Sequence, residues 1–197
     1  MALITDKFVF IHVPRTGGMF FRDVVSRLGI PAQEYGDPEI IPRIRFHKGL
    51  SEIPAGSTRG RLTFGFVRHP LTWLISRWQY AHRKFSADLS SNGTDGYMSP
   101  FWDEFISDVV NRCPDAPTKE MLGLVEGAAR IFKYEDLTES ISTVLTELGY
   151  SASLSFVQSV PKKNASHDCV PDHTFSGNQL RCIMEANRGF YERFGYQ

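Results

Sequence analysis

FVFIHVPRTGGMFF, residues Phe8 to Phe21, is the stretch from which the rest of the chain is read. Phe8 to Val13 is a continuous apolar and β-branched run rather than an alternating one. Such a run suits a strand buried on both faces, as in a parallel sheet. Pro14 to Gly18 then reads as a turn. Met19 to Leu28 sets Phe20, Phe21, Val24, Val25 and Leu28 at helical spacing, and Gly29 supplies a stop. A strand, a basic Gly-Gly turn and a helix start therefore follow one another directly.

Two further strands are expected downstream. Leu62 to Val67 is a second buried run, ended by Arg68-His69-Pro70, and Arg130 to Tyr134 is a third. Pro70 suits the first position of a helix reaching about Phe85, with Trp73, Leu74, Trp78 and Ala81 as its apolar stripe. Ser99-Pro100 predicts the start of a helix through about Arg112, Lys119 to Glu126 a short helix, and Thr138 the cap of a helix closed by Gly149. A last helix is expected from about Asn178 to Arg193. Residues 30–46 read as a loop or short helix with one weak strand, 86–99 as a polar loop, and 151–174 as irregular. Strands alternating with helices argue for an α/β domain with a mostly parallel central sheet flanked by helices.

The chain has 197 residues, enough for one full core, so a single domain over 1–197 is expected. Formal net charge is zero, so no global field draws in nucleic acid or a membrane surface, and any anion site must be local. The N-terminal stretch lacks a basic region followed by a long apolar one, and no run reaches membrane-spanning length. The expectation is a cytoplasmic protein without membrane or nucleic-acid partners. Cys113, Cys169 and Cys182 are widely spaced and read as thiols, a Cys169–Cys182 disulfide being the alternative. His167, Cys169 and His173 are close in sequence but lack a fourth ligand at zinc-like spacing, so no metal is expected. Asn92 and Asn164 head glycosylation-like triplets that read as chance matches.

Ligands of parallel sheets lie beyond the carboxyl ends of the strands, where Pro14 to Gly18 falls. The backbone N–H groups of Thr16, Gly17, Gly18 and Met19, the helix N-terminus, the Arg15 side chain and the Thr16 hydroxyl together suit a phosphate-like anion. The motif is neither GxxxxGK[ST] nor GxGxxG, and taken alone it also fits a plain strand-to-helix connection with an exposed arginine. Arg68 at the second strand end, with Ser76 on the following helix, suits a second phosphate.

PRTGG after FVFIHV resembles the 5′-phosphosulfate loop of sulfotransferases that use 3′-phosphoadenosine 5′-phosphosulfate (PAPS). FGFVRHPLTWLISRWQY resembles their 3′-phosphate motif, an arginine at a strand end with a serine eight residues on. Phe46-His47-Lys48-Gly49-Leu50, Lys133-Tyr-Glu-Asp-Leu137 and Phe190 to Tyr196 are similar to segments of the carbohydrate-type (heparan and chondroitin) branch, in the same order. Residues 86–128 have no counterpart.

The resemblance implies a single P-loop-like domain. It implies a PAPS-dependent transferase releasing 3′-phosphoadenosine 5′-phosphate (PAP), with a carbohydrate or small-molecule hydroxyl as acceptor and no metal. It places the N–H groups of Thr16, Gly17, Gly18, Met19 and Phe20 on the 5′-phosphate and sulfate, and Arg68 and Ser76 on the 3′-phosphate. Lys162, with Lys163 and Asn164, falls in a late flap. His47 becomes the base and Arg15 the cation at the leaving phosphate, with His12 and His69 as rival histidines. Two departures matter: Arg15 stands where lysine is usual, and Met19 where threonine is common. Two outcomes follow, an active site of altered geometry or a nucleotide-binding protein without transferase activity. A kinase of another P-loop type is disfavoured by the missing GK[ST]. Phe101 and Trp102 are the candidate acceptor contacts, and Trp73 and Trp78 read as core.

Overall fold

The computed structural model describes residues 2–35, 47, 49–85, 99, 101–162 and 175–197. The expectations for 36–46, 86–98 and 163–174 lie outside them. So do Asn92, Pro100, Lys163, Asn164, His167, Cys169 and His173. The chain divides into two compact units, Met1–Arg68 with Glu120–Lys163, and His69–Lys119 with Asn164–Gln197.

The first unit is built on a five-stranded sheet of order β3-β1-β2-β4-β5 among the described residues. The strands are β1 (Ala2–Ile4), β2 (Phe8–Ile11), β3 (Gln33–Tyr35), β4 (Leu62–Val67) and β5 (Arg130–Lys133). The fold is α/β as expected, but the sheet is mixed rather than mostly parallel. β2–β4 and β4–β5 are parallel, whereas β1 pairs antiparallel with both β2 and β3. Chain length explains the difference. Only Thr5, Asp6 and Lys7 separate β1 from β2, too few for the crossover that a parallel pair needs. The Thr5 hydroxyl oxygen locks this hairpin by accepting from the N–H of Lys7 (3.2 Å) and of Phe8 (2.9 Å).

The two central strands explain their own composition. Phe8, Val9, Phe10 and Ile11 are all fully buried, so β2 is covered on both faces. On one face Phe8 and Phe10 meet Phe64 and Phe66 of β4. Phe20, Phe21, Val24 and Val25 of α1 (Gly18–Arg27) join them. So do Ile141, Val144 and Leu145 of α6 (Leu137–Glu147) and Val157 of α7 (Leu154–Ser159). Ring centroids within this cluster lie 4.3 Å (Phe10–Phe21) to 6.4 Å (Phe21–Phe66) apart, the range of favourable aromatic contact. On the other face Gly65 leaves room for Val125: an added Cβ would sit 2.6 Å from the valine Cγ1 and 3.1 Å from the Ile11 carbonyl oxygen. α7 lies where irregular structure was expected. Ser153 accepts from the Phe156 N–H at 3.2 Å and starts a short helix that periodicity alone does not reveal.

The second unit holds α3 (Pro70–Phe85), α4 (Trp102–Arg112), α8 (Gly177–Ala186) and α9 (Arg188–Phe194), while α5 (Ala116–Val125) runs across the division between the units. The single closing helix expected from Asn178 to Arg193 is two, broken at Asn187. That side chain is 1% exposed. Its amide donates to the carbonyls of Pro114 (2.8 Å) and Ile183 (2.7 Å) and accepts from the Thr118 hydroxyl (2.6 Å). Trp73 and Trp78 are buried. Cys182 carries a free thiol directed at the Val110 carbonyl at 3.9 Å, and Cys169, its partner in the disulfide alternative, lies outside the described residues.

The phenylalanine cluster centres on Phe64. Phe64→Ala should cost about 3–5 kcal/mol of unfolding free energy, against a much smaller loss for Phe64→Leu. Urea denaturation followed by circular dichroism measures both. Equal losses would show that the aromatic cluster does not hold the sheet to its helices.

Candidate functional site

The candidate site grows from the carboxyl end of β2. The chain leaves the strand through His12 and Val13, turns over Pro14 to Gly17, and enters α1 at Gly18. Two residues of this turn have left-handed backbones, Gly17 with φ 81° and Arg15 with φ 64°. Gly17 is suited to it. Arg15 is not, because a Cβ crowds the following carbonyl in that region, so surrounding contacts must hold it there. One contact is direct: the Arg68 guanidinium donates to the Arg15 carbonyl at 3.3 Å.

Both glycines are also demanded by space. A Cβ on Gly17 would come within 2.6 Å of Leu137, and one on Gly18 would overlap the His12 imidazole. The Thr16 side chain is fully buried, and its hydroxyl donates to the Val13 carbonyl at 3.0 Å. The hydroxyl expected to face an anion therefore closes the turn instead, and Thr16 has only its backbone N–H to offer. Gly18, Met19 and Phe20 open α1, and their N–H groups precede the first residue that can bond back within the helix, Phe21, which donates to the Gly17 carbonyl at 3.0 Å. The Phe20 side chain is buried in the core, while that of Met19 is 42% exposed, with its sulfur 3.8 Å from the Arg22 guanidinium.

Arg68 follows β4, so parallel pairing with β2 brings it to the same edge. Its guanidinium lies 4.3 Å from the Tyr134 ring centroid, a cation–π contact. The Arg68 backbone N–H donates to Met121 Sδ, 3.2 Å away. Tyr134, quoted in the sequence only as a strand end and part of Lys133–Leu137, was not among the expected site residues, although its place directly after β5 carries it to this edge.

His47 reaches the site from a different segment. Its Nδ1 lies 3.1 Å from the His12 carbonyl oxygen. A carbonyl can only accept, so Nδ1 of His47 carries a proton. The segment after His47 is anchored as well. The Gly49 N–H donates to Glu52 Oε2 at 3.0 Å, and an added Cβ at Gly49 would lie 2.9 Å from the Gly123 carbonyl oxygen.

The other histidines differ sharply. His12 is 8% exposed, its Nδ1 has no hydrogen-bond partner among the described residues, and its ring stands edge-to-face with His47 at 5.0 Å. Burial first, then the neighbouring His47, pushes its pKa from the usual 6.5 down to about 3, so it is neutral at working pH. His69 belongs to the second unit. Its Nδ1 accepts from the Leu71 N–H at 3.3 Å, Nε2 lies 3.4 Å from the Gln197 carbonyl, and Tyr191 and Tyr196 flank the ring. That ring is engaged at the start of α3.

The remaining candidates lie on other elements. Ser76 is in α3 of the second unit and 2% exposed. Lys162 is exposed at the end of the described segment that includes α7. Phe101 is 55% exposed, whereas Trp102 is half-buried and packs among Trp78, Phe105 and Phe175. No group of three metal-ligating side chains occurs among the described residues. No helix among them is long and apolar enough to cross a membrane.

In comparisons with known proteins, no family model, curated protein or solved structure matches the chain.

Two outcomes follow from the geometry. Gly18→Ala should destabilise the fold by about 1–3 kcal/mol, because the His12 ring sits where the methyl group would go; thermal unfolding measures it. His12 gives a pH signature. Its folded-state pKa lies below its unfolded one, so the unfolded chain binds the extra proton between pH 6.5 and about 3. The stability it contributes is complete above 6.5 and is lost as pH falls through that window, with a slope of up to about 1.4 kcal/mol per pH unit. Urea titrations across the window should show a shallower acid limb for His12→Phe than for the wild type. Parallel limbs would mean that His12 titrates normally in the fold.

Proposed function

We propose that the chain is a PAPS-dependent sulfotransferase that moves a sulfuryl group to a hydroxyl of a carbohydrate or small molecule. One observation carries the reading. His47, with Nδ1 committed to the His12 carbonyl, stands at the strand end where the Gly-Gly turn and Arg68 meet.

The fit to the nucleotide rests on the turn's chemistry. The N–H groups of Gly18, Met19 and Phe20 lack helical carbonyl partners, and those of Thr16 and Gly17 precede them. With Arg15 and Arg68 they make a local positive site in a chain of zero net charge, suited to phosphate and sulfate oxygens. PAPS, when bound, would supply the sulfuryl group and leave as PAP. Arg15 would hold the leaving phosphate; its guanidinium stays charged at any working pH and can bind two oxygens together. Arg68, fixed by Tyr134 and the Arg15 carbonyl, would meet the 3′-phosphate. Nε2 of His47 would take the acceptor's proton, a contribution of typically about 10²–10⁴-fold. The protein's part is to place groups and charge, and no metal is needed for it. A P-loop-like core and a cytoplasmic setting belong to the same proposal.

A second reading is a PAP-binding protein with little or no transfer. It is favoured by the left-handed Arg15 and by Met19, which places a thioether beside Arg22 rather than a hydroxyl at the turn.

Calorimetric titration without Mg²⁺ tests the proposal. PAP should bind about 100-fold more tightly than AMP, and Arg68→Gln should remove most of that preference, about 2–3 kcal/mol. A wild type that does not distinguish PAP from AMP would sink it. His47→Ala should keep PAP affinity within about twofold while PAP release from PAPS falls by about 10²-fold or more. Intact PAP binding with no release from PAPS by the wild type would select the second reading.

A further inference from the structure

His12 is poorly explained as a simple core residue. It is buried with a ring nitrogen that finds no hydrogen-bond partner among the described residues, a situation that costs about 1–3 kcal/mol. A hydrocarbon side chain would avoid that cost. The site is nonetheless shaped around the ring: Gly18 must lack a side chain for it to fit, and the Phe10 ring lies nearly parallel to it, 22° between planes with centroids 6.3 Å apart. The residue touches His47 twice, once through its carbonyl oxygen, which accepts from Nδ1 at 3.1 Å, and once through its ring, edge-to-face at 5.0 Å.

We propose that His12 is the positioning residue for His47, its backbone choosing the tautomer and its ring preventing the imidazole from rotating away from that hydrogen bond. The inference rests on the reading of His47 as the base. A hydrogen bond at one ring nitrogen does not by itself fix the plane of a ring on a rotatable side chain. A flat wall at right angles to it takes that freedom away. The wall must also be uncharged. When His47 takes a proton it becomes a cation, and a cationic neighbour at 5.0 Å would oppose that step. Burial keeps His12 neutral, and Arg15 and Arg22 add positive charge that works in the same direction. An aromatic ring that stays neutral meets both requirements. The Phe10 ring and Gly18 hold the wall itself in place, so the chain of support runs from the sheet core to the candidate base without leaving the first unit.

The tautomer of His47 is directly observable and needs neither PAPS nor an acceptor. Two-bond ¹H–¹⁵N correlation spectra, recorded above the usual titration range of histidine, report which ring nitrogen carries the proton. The wild type should show His47 as the Nδ1–H form, the minor form for a histidine in water. His12→Phe, which keeps a neutral flat ring, should retain it. His12→Ala, shown folded by its dispersed backbone amide spectrum, should shift His47 toward the Nε2–H form or a mixture. Should His12→Ala leave the Nδ1–H form intact, the ring does no positioning and the inference is overturned. The same holds if the wild type shows Nε2–H. Failure of the sulfotransferase reading would look different, with the tautomer pattern as described but no preference for PAP over AMP.

Discussion

Burial of β2 on both faces is the constraint from which the rest follows. Phe8 to Ile11 are all fully buried, so both faces of the strand need cover and both edges need partners. β1 meets one edge through a three-residue hairpin, and β4 meets the other in parallel. The parallel pairing has a chemical consequence. It sends the exits of β2 and β4 to the same edge of the sheet, so the Gly-Gly turn and Arg68 arrive together although 53 residues separate Arg15 from Arg68. β5 adds Tyr134 at that edge in the same way. None of these residues requires a dedicated scaffold to meet; the strand directions do it.

Around that edge the polar groups are largely spoken for by one another. The Thr16 hydroxyl closes the turn on Val13, the Arg15 carbonyl accepts from Arg68, and the His12 carbonyl accepts from His47. Under the proposal the anion is received by the backbone N–H groups of Gly18, Met19 and Phe20, which lack helical carbonyl partners, together with Arg15 and Arg68. That is the composition of an anion site, since N–H groups and guanidinium groups can donate but not accept. The neutral, buried His12 keeps a further charge out of the cluster, and its carbonyl accepts from His47 Nδ1.

The elements read most directly from the sequence were those with strong periodicity or strong punctuation. β4 matches its expected span, and α1 and α3 start within a residue of theirs, because a solid apolar run and a helix-opening proline are local signals. The antiparallel edge was not legible in the same way. β1 has three residues, too few to show a pattern, and its pairing is decided by the length of a turn rather than by composition. α7 depends on a single serine cap, and the break at Asn187 on hydrogen bonds to Pro114 and Thr118, groups far away in sequence. At the site, the residue types could be read but not their duties. Thr16 looked like a ligand donor, but its hydroxyl closes the turn, while His12, one of the rival histidines, is buried with its ring against His47. Those distinctions depend on where a hydroxyl hydrogen or a ring edge points, which spacing in one dimension does not encode.

The central claim is that the backbone N–H groups between β2 and α1 receive a phosphate of the nucleotide. Backbone ¹H–¹⁵N spectra recorded during titration with PAP test it most directly. The account predicts saturable shifts of the Thr16, Gly17, Gly18, Met19 and Phe20 amides as the leading perturbations, with downfield movement of their protons as charged oxygens accept from them. Saturable PAP binding that leaves these five amides unmoved and shifts another part of the chain would contradict it.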